Sequence, residues 1–217
     1  MSKGIINKLA EDRQYRDIDL SRIEHRTDQV SGEMIVEGYA TVFNQRYLLW
    51  SEPGFEVWEE VDSNALAETD MRDVIMQYNH EGRVFARVSN DTLEVKPDEI
   101  GLHITARLGG TELGRQMYEE IQGGYTNKMS FGFTVGEDQR IESEDRETGK
   151  VTILRRITKI TKLYDVSAVS LPANDATSIS ARSYSEGAIA EIREEVAKRE
   201  QRERQKQRIR ILTEVQK

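Results

Sequence analysis

Residues 127–135 read Asn-Lys-Met-Ser-Phe-Gly-Phe-Thr-Val, and their alternation predicts a β-strand. Successive side chains of a strand point to opposite faces, so the apolar residues of this stretch all lie on one face. We expect that face to line the core of a mainly β fold. The other face carries Ser130 beside Gly132, which has no side chain. Because a glycine leaves room for a close approach, we expect Ser130 to stand in an open position, and it is a candidate nucleophile.

Two more polar residues stand at apolar segments. His80 follows the apolar run that ends at Tyr78, and Asp165 interrupts the strand-like stretch 163–169. Aspartate is depleted from strand interiors, and a buried unpaired carboxylate is costly. Asp165 therefore either pairs with a cation such as Lys162 or orients an imidazole. A hydroxyl, an imidazole and a carboxylate are the groups that serine acyl transfer uses.

A second histidine, His103, is an alternative third member of such a site. It alternates with the apolar residues of stretch 102–108, so we expect it on the opposite, exposed face of that strand. Neither the Gly-Xaa-Ser-Xaa-Gly elbow of α/β-hydrolases nor a phosphate-binding glycine loop is present. With no cysteine, three histidines and no His-Glu-Xaa-Xaa-His spacing, we predict no metal site and no cofactor.

Composition narrows the choice of partners. The 217 residues carry a formal net charge of −8, and the acidic body of the chain argues against nucleic acid as a ligand. The apolar runs are shorter than the roughly 20 residues of a membrane span, and the N-terminus lacks the apolar core of a signal peptide. We therefore expect a soluble protein that binds neither nucleic acid nor membrane and forms no disulfide.

The chain is predicted to have three parts. Residues 1–30 form a polar N-terminal segment that lies loosely or packs peripherally, and residues 31–181 form the folded domain. That domain holds several short strands and a helix over residues 111–122, which Thr111 starts and a pair of glycines ends. Residues 137–150 are predicted to be a charged, mobile loop, and residues 151–162 and 163–171 a final pair of strands. Residues 182–217 are predicted to be a charged helical extension with apolar ends.

Several short motifs, taken in order, resemble the prohead proteases of tailed phages, which are serine proteases of capsid maturation distantly related to herpesvirus assemblins. The resemblance covers about residues 35–181. Its motifs are Asn79-His80-Glu81, Gly101-Leu102, Met129-Ser130-Phe131-Gly132-Phe133, Asp165-Val166-Ser167 and Leu171-Pro172-Ala173-Asn174.

The resemblance implies roles for three residues. Ser130 corresponds to the nucleophile and His80 to the general base of the family. Asp165 corresponds to the orienting acid, although the family commonly has the longer glutamate there. Relatives also often have glycine where this chain has Ala86. For the fold, the resemblance implies a compact, mostly antiparallel β-barrel with a few surrounding helices.

The implied function is that of a serine endopeptidase inside the assembling procapsid, in the host cytoplasm. Its expected partners are the major capsid protein with its scaffold segment, and the protease itself, with self-association left open. The alternative is a catalytically silent scaffold or assembly factor that binds the major capsid protein. Backbone N–H groups are the expected oxyanion donors, with Arg155 or Arg156 as a further candidate.

Overall fold

The computed structural model describes residues 13–27, 33–145 and 147–170, with the backbone alone over 17–27, and scattered helical positions between 194 and 205. Within these residues the chain forms ten strands and an α-helix, α1 (Glu112–Gln122), with a short 3-10 turn at Val88–Asn90. The strands are β1 (Gln14–Thr27), β2 (Met34–Val42), β3 (Tyr47–Glu52), β4 (Phe55–Val61), β5 (Ile75–Tyr78), β6 (Glu81–Arg87), β7 (Leu93–Pro97), β8 (Gly101–Arg107), β9 (Lys128–Glu144) and β10 (Val151–Val169).

The predicted mainly β architecture is confirmed, but the predicted barrel is not. The strands follow the order β3-β4-β10-β9-β1-β2-β8-β7, and within the described chain the two end strands do not pair with each other. Strand β10 pairs in parallel with β4 along its first part and with β5 along its last part. Because β10 changes partner along its length, the sheet branches towards the β5–β6 hairpin instead of closing.

Helix α1 agrees with the prediction. The Thr111 side chain accepts a hydrogen bond from the Gly114 amide at 3.0 Å, as an N-terminal cap does. Its buried face, formed by Met117, Tyr118 and Ile121, packs into the main apolar core. The same core contains the inward side chains of β2, β8, β9 and β10, so one hydrophobic cluster holds the sheet and the helix together.

The end of the domain differs from prediction. Strand β9 continues to Glu144, and β10 is one unbroken strand, where we predicted a mobile loop over 137–150 and two separate strands. The charged side chains of this arm are largely exposed, while its backbone is paired along the antiparallel β9–β10 ladder. Dense charge therefore marks solvent-facing strand positions here, because pairing satisfies the backbone whatever the outward side chains are.

The N-terminal segment also differs from prediction. Its residues Gln14–Thr27 form β1, which lies inside the sheet between β9 and β2. The first part of β1 pairs with β9 and the last part with β2, with a register shift between them. The helical extension predicted for 182–217 falls mostly outside the described residues.

A buried group of charged side chains ties β1 to the sheet. Glu59 of β4 is fully buried, and its carboxylate accepts from Arg16 Nε at 2.5 Å, Arg155 Nη1 at 2.8 Å and the Tyr47 hydroxyl at 2.5 Å. Burial raises the pKa of Glu59, but the charges of Arg16 and Arg155 and their hydrogen bonds lower it to about 2. Arg155 also forms an ion pair with Asp138. The two carboxylates and the two guanidinium groups of this cluster therefore balance in charge.

The cluster predicts how stability depends on pH. A carboxyl group whose pKa falls from 4.5 to about 2 on folding stabilises the protein fully above pH 4.5, and that contribution disappears as the pH falls towards 2. The change corresponds to about 3 kcal/mol of unfolding free energy. Glu59→Gln should therefore flatten the decline of stability between pH 5 and pH 2. At pH 7 it should cost about 3–5 kcal/mol, because the buried guanidinium groups of Arg16 and Arg155 both lose the negative charge of Glu59.

Urea unfolding followed by tryptophan fluorescence between pH 7 and pH 2.5 measures this dependence, with the exposed Glu99→Gln as the control. Parallel curves for Glu59→Gln and the wild-type protein would contradict the assignment.

Candidate active site

Ser130 lies in β9, which has β1 on one side and β10 on the other. Its neighbours Phe131 and Phe133 point into the core with their rings stacked at 4.4 Å, so the strand cannot rotate without exposing them. The Ser130 side chain points to the other face and lies opposite Ser167 of β10. Contrary to the expected open position, Ser130 is fully buried. Part of what covers it is the first half of β1.

His80 stands at the tip of the two-residue hairpin between β5 and β6, where Tyr78 pairs with Glu81. Asn79 and His80 both have positive φ values, 47° and 61°, the pattern of a type I′ turn. Histidine tolerates this region better than most non-glycine residues, and such strain often occurs at functional sites. The hairpin is held against β10 by the β5 pairing and by the Asn79 amide, which donates to the Ala168 carbonyl at 3.0 Å.

The structure brings Ser130, His80 and Asp165 together. The His80 Nε2 atom lies 2.5 Å from Ser130 Oγ, and its Nδ1 atom lies 2.5 Å from Asp165 Oδ1. The imidazole therefore bridges the hydroxyl and the carboxylate through its two nitrogens. In the tautomer with the proton on Nδ1, the lone pair of Nε2 can accept the hydroxyl proton, which is the arrangement a general base needs.

Asp165 is fully buried but well supplied with partners. Ser167 Oγ donates to its Oδ1 atom at 2.7 Å, and Arg13 forms an ion pair with its Oδ2 atom. Burial raises the pKa of Asp165, but the contact with His80, the Ser167 hydroxyl and the charge of Arg13 together lower the pKa below its ordinary value. The carboxyl group is therefore ionised at neutral pH, so it can stabilise a protonated imidazole.

Gly132 makes room for this arrangement. It pairs with Asp165 across the β9–β10 ladder, and a Cβ atom on it would lie 2.3 Å from Asp165 Oδ2 and 2.9 Å from the Tyr15 ring. The missing side chain therefore gives space to the acid and to Tyr15, whose ring centroid is 4.3 Å from that of His80. The sequence predicted a close approach at this glycine but not which groups make it.

The alternative site residues considered in the sequence analysis make other contacts in the structure. The ring of His103 packs edge-on against Tyr39, 5.1 Å away, while the Nδ1 partner of His80 is Asp165. The Lys162 ammonium lies over the Tyr164 ring, and the cation that meets Asp165 is Arg13. Arg155 is engaged with Glu59 and Asp138, and Arg156 pairs with Glu60.

Some site residues were missed in the sequence. Ser167 is two positions after Asp165 in a strand, so the alternation of side chains places both on one face and could have revealed it. Arg13, Tyr15 and Arg16 lie in a polar segment with no clear strand pattern, and only long-range pairing brings them to the site.

Two other kinds of site were sought in the described part of the chain. No group of three or more histidine and acidic side chains there could hold a metal ion. Among the same residues, no helix has the length and apolar character needed to cross a membrane.

Comparisons with known proteins place the chain in a family. Residues 21–191 match the family described as caudovirus prohead serine protease. The solved structure of the bacteriophage T4 capsid assembly protease is similar at a TM-score of 0.38 and 11% identity, over 73% of this chain and 98% of that chain. Comparison with curated proteins finds no similar sequence. The family match spans most of the chain, so this protein belongs to the caudovirus prohead serine proteases.

Proposed function

We propose that this protease of capsid maturation is a serine endopeptidase in which Ser130 is the nucleophile, His80 the general base and Asp165 the orienting acid. One observation carries the assignment: a single imidazole contacts the Ser130 hydroxyl through Nε2 and the Asp165 carboxylate through Nδ1, both at 2.5 Å. Family membership supports the class of reaction, and the contacts support the choice of residues.

The reaction follows from these contacts. Ser130 Oγ attacks the scissile carbonyl carbon while its proton moves to His80 Nε2, and the negative charge of Asp165 stabilises the imidazolium that forms. His80 then gives the proton to the leaving amine as the carbon–nitrogen bond breaks, which leaves an acyl group on Ser130. A water molecule, deprotonated by His80, then attacks the acyl carbon. As the ester bond to Ser130 breaks, His80 returns the proton to Ser130 Oγ and the carboxylic acid product leaves.

The rigid placement of the three groups favours this chemistry. Ser130 and Asp165 lie on adjacent, paired strands, and the hairpin that holds His80 is held against β10. Groups held within hydrogen-bonding distance before substrate arrives avoid the entropic cost of assembling the site in each turnover.

The proposed substrates are the major capsid protein or its scaffold segment, and the protease itself. Cleavage would take place inside the assembling procapsid of an infected cell. Membership of the caudovirus prohead serine proteases supports this setting.

Removal of the nucleophile should abolish processing. In Ser130→Ala a single oxygen is lost from a packed strand, so the variant should fold normally while cleavage of coexpressed coat protein falls by several orders of magnitude. The measurement is mass spectrometry of the coat protein after coexpression, with circular dichroism as the test of folding. Ser143→Ala, an exposed serine farther along the same strand, is the matched control and should process normally.

Wild-type processing by a folded Ser130→Ala protein would disprove the assignment of the nucleophile. If the wild-type protein cleaves neither coat protein nor itself, the catalytically silent assembly factor is the better description.

Loss of the orienting charge should slow turnover without removing the other two groups. Asp165→Asn keeps a hydrogen-bonding group of the same size but favours the wrong imidazole tautomer, so we expect kcat to fall on the order of 10⁴-fold. His103→Gln should change kcat little, because His103 packs against Tyr39. Rates of coat-protein cleavage by the two purified variants test this. An inactive His103→Gln beside an active Asp165→Asn would show that a second histidine is the third member.

A further inference from the structure

One short stretch of the chain contacts all three residues of the site. The Arg16 carbonyl accepts a hydrogen bond from Ser130 Oγ at 2.9 Å, and the Tyr15 ring lies against that of His80. Arg13 forms an ion pair with Asp165. Residues 13–16 therefore occupy the space in front of the nucleophile, and Ser130 is buried although its function requires access to a substrate.

This stretch is bound as an extended substrate would be. It pairs antiparallel with β9, in a register that runs from Gln14 opposite Phe133 to Asp17 opposite Ser130. Adding a strand to a sheet is a common way to bind an extended peptide, because backbone hydrogen bonds give affinity and alternate side chains enter pockets. Here Tyr15 lies on the side of His80, while the Arg16 side chain lies on the opposite side.

The Arg16 side chain fills a charged pocket. Its Nε atom lies 2.5 Å from Glu59 Oε1, and its Nη2 atom lies 3.2 Å from Oε2, so one guanidinium group meets both carboxylate oxygens. Glu59 and Asp138 also hold Arg155. The two carboxylates balance two guanidinium groups, and without Arg16 the pocket would keep one excess negative charge. Since an uncompensated buried charge is costly, the pocket favours a cationic side chain.

The present occupant holds the site in an unproductive state. Ser130 has one hydroxyl proton, and while it is donated to the Arg16 carbonyl it cannot pass to His80. Residues 13–16 lie outside the stretch 21–191 that matches the family. Only the first part of β1 pairs with β9, and the pairs from Ile23 to Thr27 with β2 can persist when that part leaves.

We infer that the protease selects substrates with arginine directly before the scissile bond, and that this arginine takes the place of Arg16 against Glu59. The inference rests on the proposed function. The residue whose carbonyl meets the nucleophile is the one on the acyl side of the bond, and here that residue is Arg16. A substrate arginine that replaces Arg16 restores the same ion pair, so the exchange costs little in the pocket.

The test uses peptides with the sequence of residues 10–21 that carry Arg, Lys, Gln or Leu at position 16. They are incubated with full-length wild-type protein, Arg16→Ala and Tyr15→Ala, and the products are identified by mass spectrometry. The Arg peptide should be cleaved after the arginine, with kcat/KM about 10–100-fold above that of the Gln and Leu peptides. The Lys peptide should fall between them, because an ammonium group lacks the two-pronged geometry of guanidinium.

The internal occupant should act as a competitor. Both variants should lower KM for the Arg peptide relative to wild type, with kcat little changed, because the peptide supplies the tyrosine and arginine that the variant lacks. Tyr15→Ala keeps the charges of the pocket, so it still tests the competition if Arg16→Ala does not fold. Arg46→Ala, which removes a guanidinium that pairs with Glu60, is the matched control and should behave as wild type.

Equal kcat/KM for the four peptides, or an equal KM in wild type and variants, would overturn the inference and leave proteolysis standing. Failure to cleave any peptide by protein that still processes coat protein would also overturn it. If coat-protein processing fails as well, the proposed function itself is wrong.

Discussion

The antiparallel pairing of β9 with β10 is the constraint on which the site depends. Its register sets Ser130 opposite Ser167 and Gly132 opposite Asp165, so the hydroxyl and the carboxylate meet on one face of the sheet. The opposite face carries Phe131 and other core residues, which are fully buried. A shift of one residue would turn the hydroxyl into the core and the aromatic rings to the site, so burial of the apolar face fixes the register and thereby the chemistry.

Strand β10 also positions the third group of the site, the imidazole of His80. By pairing in parallel with β5, it holds the hairpin whose tip carries His80. The positive φ values of Asn79 and His80 are a local cost that the ladder on either side sustains. The imidazole thus reaches both partners from a turn and not from a strand, which lets both of its nitrogens face the site. The sheet holds the three groups in place, and the turn orients the imidazole.

Two ion pairs hold the first part of β1 over the site. Arg13 meets Asp165 on one side of the strand, and Arg16 meets Glu59 on the other. Each buries a carboxylate that would otherwise need water, so the occupant also satisfies polar groups of the domain. Release of this stretch requires a replacement for each contact, and a substrate that carries a cation before the scissile bond provides one of them. In the proposed function, the same contacts limit access to Ser130 and favour one class of substrate.

The sequence alone determined the strand character of 127–135 and the capped helix α1, and it pointed to three candidate site residues, because alternation, capping and polar residues in apolar stretches are local signals. The resemblance to prohead proteases added their roles. Only the tertiary structure decided that the sheet stays open, that the charged arm after Val135 is a paired hairpin, and that Arg13–Arg16 covers the site. Each of these depends on which distant strand becomes the hydrogen-bonding partner, and neither composition nor periodicity of a single segment specifies that choice.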